Sequence, residues 1–122
     1  LLALSEFISS KNLSPCTLIL GMASDKLHDS LQDPLKKLCR NADLIILTSV
    51  QSPRSSTPEL LESFLNKSGA IEHSPEIKLT VSAEDALKMS LSSPENPVIA
   101  AGSFYLVGTV MHLLGINTDS KN

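Results

Sequence analysis

Short apolar runs alternate with helix-period segments along the whole chain, and no other feature constrains the fold as much. The runs lie at residues 16–20, 43–48, 77–81 and 98–101. Between them, Leu27, Leu31, Leu35 and Leu38 recur at helical spacing, as do Leu60, Leu61, Phe64 and Leu65. Ala83, Ala86, Leu87 and Leu91 make a third inward stripe. Residues 1–10 carry Leu1, Leu4 and Ile8 on one helical face with Phe7 beside them. Residues 103–115 carry Phe104, Val107, Val110, Met111 and Leu114 on another. The order therefore reads α-β-α-β-α-β-α-β-α. Strict alternation predicts an α/β, Rossmann-like fold: a mostly parallel sheet with helices on both faces. Because the order opens on a helix, a first strand is expected to be missing from residues 1–116, the single domain. Residues 117–122 are expected to be a polar tail.

Punctuation between the runs sharpens the expectation. Asp33 is expected to cap a helix with Pro34 as its first residue. Thr57 before Pro58 repeats that pattern, and Gly69 is a natural stop. Ser82-Ala-Glu-Asp85 resembles a capping box, with Val81 and Ala86 placed to form a hydrophobic staple. Ile77, Leu79 and Val81 alternate with Glu76, Lys78 and Thr80, so one face of that strand should be wet and the strand near an edge. Val98-Ile-Ala-Ala101 is unbroken and reads as a strand covered on both faces. Gly102 then allows a sharp turn, and Ser103 can cap the helix that follows. Tyr105 reads as a core or interface residue.

At 122 residues the chain is long enough for one real core. Its net charge of −3 and the absence of a basic cluster argue against a nucleic-acid partner. No apolar run approaches membrane-span length, so no membrane partner is expected. Residues 1–10 lack a signal-peptide pattern. Cys16 and Cys39 have neither metal nor redox spacing and read as small core residues of a reduced, intracellular and cytoplasmic protein, or an organellar one in a eukaryote. His28, His73 and His112 form no ligand pattern, so no metal site is expected in this chain. Neither GxGxxG nor GxxxxGK[ST] occurs, which leaves no readable dinucleotide or P-loop site.

In a parallel sheet, ligands sit outside the carboxyl ends of the strands. Three loops leave those ends: residues 21–26, with a flexible Gly21 and the charged pair Asp25-Lys26; residues 51–56, with Arg54; and Gly102-Ser103. Free N–H groups at a helix start after Ser103 would suit a carboxylate or phosphate.

Three segments in this order, LILGMASDK, LTSVQSPRSSTPELL and VIAAGSFYLVGTV, resemble the C-terminal domain of the folylpolyglutamate synthase/dihydrofolate synthase family, a branch of the Mur ligase superfamily. The resemblance spans roughly residues 1 to 115, and GS-x-YLVG is its most specific piece. It implies ATP-dependent amide-bond formation: a folate or pteroate carboxylate is phosphorylated by ATP, and the amine of glutamate attacks the acyl phosphate. It further implies an N-terminal ATPase domain that holds ATP and Mg2+, over which this domain closes to exclude water. Ser103 and Gly102 match the family's glutamate-contacting motif, Asp25 and Lys26 match its DK, and Arg54 sits in a similar SPR. Each keeps a plainer alternative: a helix cap for Ser103, a solvated loop pair for Asp25 and Lys26, a solvated arginine for Arg54. The family's Asp-Gly-Ala-His-Asn segment and its P-loop domain do not occur in the sequence, so the fragment is expected to be inactive alone. The alternative from another class is a non-catalytic, flavodoxin-like α/β binding module.

Overall fold

A computed structural model describes residues 11, 15–69, 71, 75–92 and 96–102. Four strands, β1 (Cys16–Leu20), β2 (Ala42–Leu47), β3 (Glu76–Leu79) and β4 (Val98–Ala101), form one sheet in the order β3-β2-β1-β4. Every pairing is parallel. Three helices connect them: α1 (Gln32–Cys39), α2 (Pro58–Ser68) and α3 (Ala83–Ser90). The expected α/β class and parallel sheet are therefore observed.

The strand order decides where the helices go. The chain steps from β1 to β2 to β3 in one direction, then returns past both to β4. Right-handed crossovers must then place α1 and α2 on one face and α3 on the other. The two cores agree. On one face Leu18, Leu20, Ile45 and Leu47 meet Leu35 and Leu38 of α1 and Leu61 and Leu65 of α2. On the other, Ile19, Leu44 and Ile46 meet Ala83 and Ala86 of α3. Successive residues of each strand serve opposite faces, as the pleat requires.

Several local expectations are met. The Thr57 hydroxyl accepts the Leu60 N–H at 3.1 Å, with Pro58 opening α2. Gly69 closes that helix in the left-handed region at φ 71°. Ser82 accepts the Asp85 N–H at 3.1 Å and caps α3. On β3, Glu76 and Lys78 are exposed while Ile77 and Leu79 are half-buried, and the strand lies at an edge; the alternation stops at Thr80, expected on the wet face but buried just past the strand.

Others are corrected. Asp33 does not cap α1; it sits inside the first turn, after Leu31 as N-cap, and Pro34 is the third helical residue. The helical spacing does not extend ahead of it: Leu27 follows a short 3-10 turn, Ser24–Lys26, and Leu31 ends another, Asp29–Leu31, and the Pro34 ring has no N–H to bond the Ser30 carbonyl that an extended helix would offer it. Leu60 and Leu91 do not face inward; they are 48% and 61% exposed. Val81, at 79% exposed, makes no staple with Ala86. β4 is covered on both faces as expected, Ile99 packing against one core and Ala100 against the other, but among the described strands it lies at an edge, and its first residue Val98 is 37% exposed. The helices expected at 1–10 and 103–115, Tyr105, His73, His112 and the tail lie outside the described residues.

Candidate functional site

The ladder register aligns Leu20, Leu47, Leu79 and Ala101 in one row across the sheet. The loops after β1, β2 and β4 therefore leave from one edge. The reversal of strand order falls between β1 and β4, because the helix after β1 lies on one face and the helix before β4 on the other. This is a topological switch point, where open α/β sheets leave a crevice outside the carboxyl ends.

Two glycines shape that point. The Gly21 N–H donates to the Ala101 carbonyl at 3.3 Å. A Cβ on Gly102 would lie 2.5 Å from the Gly21 carbonyl oxygen, and Gly102 holds φ at +108°. Both facts exclude a side chain there. Gly21 is not flexible in the sense expected of it. Its conformation is ordinary, but a Cβ would meet the Thr48 carbonyl at 2.8 Å, so glycine is required by close packing. Backbone thus crowds backbone where β1 and β4 end.

The loops after β1 and β2 are stitched together. Ala23 and Ser55 form an antiparallel bridge. On either side of it the Ser24 N–H donates to the Arg54 carbonyl at 2.8 Å, and the Ser56 N–H donates to the Met22 carbonyl at 2.9 Å. Asp25 and Lys26 lie in the Ser24–Lys26 turn and are exposed. The Arg54 guanidinium reaches the Asp25 carboxylate at 3.7 Å, with both side chains largely exposed. Such a pair is screened and adds little to stability. Its consequence is positional: a guanidinium, an ammonium and a carboxylate share one loop cluster at the sheet edge. Of the predicted site residues, Gly21, Asp25, Lys26, Arg54 and Gly102 all leave this edge. Ser103 lies outside the described residues.

Two contributors were not singled out in the sequence. Met22 is fully buried and anchors the first loop to the core, its Cε within 3.1 Å of a Cβ placed on Gly102. Ser55 ties the second loop to itself and to the first. The serine run at 52, 55 and 56 was the available signal, since such hydroxyls commonly bond nearby backbone in turns.

The buried groups offer no rival chemistry. Cys16 and Cys39 are free and packed in the core. Burial pushes the Cys16 thiol up to about 11, with Asp43 adding to the shift. Burial likewise pushes Cys39 up to about 12, with Cys16 adding to it. Thiols held protonated are poor nucleophiles and ligands. Among the described residues, no group of three or more His, Cys, Asp and Glu could hold a metal ion. No described helix is long and apolar enough to cross a membrane.

No protein-family model matches the chain, and no curated protein matches it. Solved structures do. The chain superposes on the bifunctional folylpolyglutamate synthase/dihydrofolate synthase of Yersinia pestis, solved with AMPPNP and a Mn ion. The TM-score is 0.70 at 22% identity, covering 93% of this chain and 25% of that one. The folylpolyglutamate synthase of Mycobacterium tuberculosis, complexed with ADP, matches at TM-score 0.72 and 17% identity, covering 94% of this chain and 27% of that one. The chain has the fold of one region of these ligases. It spans about a quarter of their length.

Proposed function

We propose that this chain is the C-terminal domain of an ATP-dependent ligase that joins glutamate to a folate or pteroate carboxylate. The observation that carries the reading is the fold match to folylpolyglutamate synthase structures across nearly the whole chain. Supporting it, the loops that bear the similar GMASDK and SPR segments leave one sheet edge beside the switch point.

In this reading the edge faces an N-terminal ATPase domain of the same protein, in a cytoplasmic or organellar enzyme. ATP, with Mg2+, supplies the phosphoryl group that converts the acceptor carboxylate into an acyl phosphate. Both are assigned to the ATPase domain, as the resemblance implies. The residues of this chain handle glutamate. Arg54 offers a planar fork for a carboxylate, and Lys26 offers a point charge. Asp25 stands 3.7 Å from Arg54 in the neighbouring turn and adds a carboxylate to the same cluster. Gly102 lets the end of β4 close against the Gly21 carbonyl, and the resemblance assigns the Ser103 hydroxyl after it to the same carboxylate. Held this way, the amine of glutamate meets the activated carbonyl while the closed domains exclude water.

The test is kinetic, on the full-length protein that carries this domain. Arg54→Ala and Ser103→Ala should each raise the glutamate KM about ten- to a hundred-fold, the worth of a hydrogen bond to a charged group, and leave the ATP KM alone. The isolated chain should turn over neither ATP nor glutamate. Unchanged glutamate KM in both variants would remove the site, and turnover by the isolated chain would remove the two-domain account.

A further inference from the structure

We propose that Ser55 is a positioning residue that holds Arg54 ready for the carboxylate of the incoming amino acid, an inference that rests on the ligase reading above. Arg54 cannot place itself. Its side chain is 78% exposed, and its described ion pair, with an Asp25 side chain 59% exposed, is long at 3.7 Å. Where the guanidinium stands is therefore decided by the backbone that carries it.

That backbone is a closed ring, and the Ser55 hydroxyl closes it. The hydroxyl accepts the Val50 N–H at 2.9 Å and donates to the Ser56 carbonyl at 2.8 Å. Val50 is 8% exposed and packs into the core on the α3 face, so the ring is moored where the loop leaves β2. Ser56 is 2% exposed and moors the other end, through its N–H to the carbonyl of the buried Met22. Between these moorings the Ser55 N–H donates to the Ser52 carbonyl at 3.0 Å, and the Arg54 N–H donates to the Ser52 hydroxyl at 3.2 Å. Arg54 sits at the tip of the ring, and its own carbonyl takes the Ser24 N–H of the neighbouring loop. A methyl in place of the hydroxyl leaves the Val50 N–H without its acceptor and unties the ring at its buried end. The strand and helix on either side do not depend on this hydroxyl: β2 is paired on both edges, and α2 is capped by Thr57. Its effect should therefore fall on the placement of Arg54.

The test combines a structural and a kinetic arm. In the 122-residue chain, amide exchange at Val50 should speed at least about tenfold in Ser55→Ala, with Ile46 unchanged, because only the former loses its acceptor. In the full-length protein, Ser55→Ala should raise the glutamate KM about three- to tenfold, the worth of one ordinary hydrogen bond, with kcat and the ATP KM within about twofold. Ser55→Thr, which keeps the hydroxyl, should restore it. In an Arg54→Ala background Ser55→Ala should add less than about twofold, since a residue acting through Arg54 has nothing left to act on. Ser68→Ala, which removes a comparable hydroxyl bond to the Leu65 carbonyl at the far end of α2, should leave glutamate kinetics alone. Should Ser55→Ala fail to fold, Ser52→Ala removes the acceptor of the Arg54 N–H and should raise the glutamate KM in the same sense. Unchanged Val50 exchange, or additive effects in the double variant, would overturn the proposal. A raised KM in Arg54→Ala with none in Ser55→Ala would overturn this inference alone, whereas no effect of Arg54→Ala would overturn the ligase site beneath it.

Discussion

On one face of the sheet, leucines from α1 and α2 close over Leu18, Leu20, Ile45 and Leu47; on the other, α3 meets Ile19, Leu44 and Ile46 with Ala83 and Ala86 as its buried apolar side chains and with Leu87 and Met89 only half-buried beside them. Both faces are covered, but by different physics. The leucine face removes large side chains from water, and most of the hydrophobic stabilisation must reside there. The alanine face removes less area, and its small side chains let a two-turn helix lie close against the strands. Among the described residues the second face also carries an anomaly that the first lacks. Thr17 has the same strand parity as Ile19, is fully buried, and its hydroxyl has no hydrogen-bond partner among the described residues. Among the described residues, one side of the sheet is thus a filled core. The other is a thinner seam beneath the returning connection from β3 to β4.

The largest test of this contrast is a deletion on the filled side. Leu65 is fully buried in the leucine cluster. Leu65→Ala should cost about 2–5 kcal/mol, the usual toll of lost transfer energy plus the cavity left behind. Chemical denaturation of the isolated chain would measure it. A loss near 1 kcal/mol would mean that the leucine face is loosely packed. The second test overfills the seam. Ala86 is fully buried under α3. Ala86→Leu should lift that helix and cost about 1–3 kcal/mol by overpacking. A neutral result would show the seam to be roomy and the contrast to be false.

The contrast also explains what could be read from the sequence. The leucine face was legible because its residues are large, numerous and periodic: Leu35, Leu38, Leu61 and Leu65 were all placed inward. Leu60 shows the limit. A stripe of adjacent leucines does not say which of two neighbours faces in, and Leu61 does. The alanine face was legible at Ala83 and Ala86 but overextended at both ends. Val81 precedes the cap, and Leu91 follows the last helical turn, so neither is held over the sheet. At the sheet edge, the turn at Gly102 and the shared edge of the loops followed from glycine and from parallel topology. The contact between Gly21 and Gly102, the bridge between Ala23 and Ser55, and the Arg54 pairing with Asp25 did not. These join residues far apart in sequence, and no local pattern encodes which loops will meet.

A third test repairs the seam instead of damaging it. Thr17→Val exchanges the unpartnered hydroxyl for a methyl of similar volume. Removing a buried polar group that bonds nothing should stabilise the chain by about 1 kcal/mol. The midpoint of denaturation should rise without a change in slope, since the folded and unfolded areas scarcely differ. A loss of stability would show that the hydroxyl is satisfied after all, and that the seam is polar by need.

The smallest effect is expected where the seam ends. Val81 stands just before the Ser82 cap, where a staple to Ala86 would fold its side chain down onto α3. It is instead 79% exposed, while Ala86 is fully buried against the strands. Those two facts are incompatible with a staple, because a methyl that covered Ala86 would itself be covered. Val81→Thr keeps the branching at Cβ, and with it the extended backbone preference, while making one branch polar. The change should stay within about 0.5 kcal/mol, as for surface positions generally. The neighbouring cap gives the scale: Ser82→Ala, which loses the bond to the Asp85 N–H, should cost about 1 kcal/mol. If Val81→Thr proved as costly as Ser82→Ala, the valine would be packed in solution. The seam would then extend a full turn further than the structure draws it.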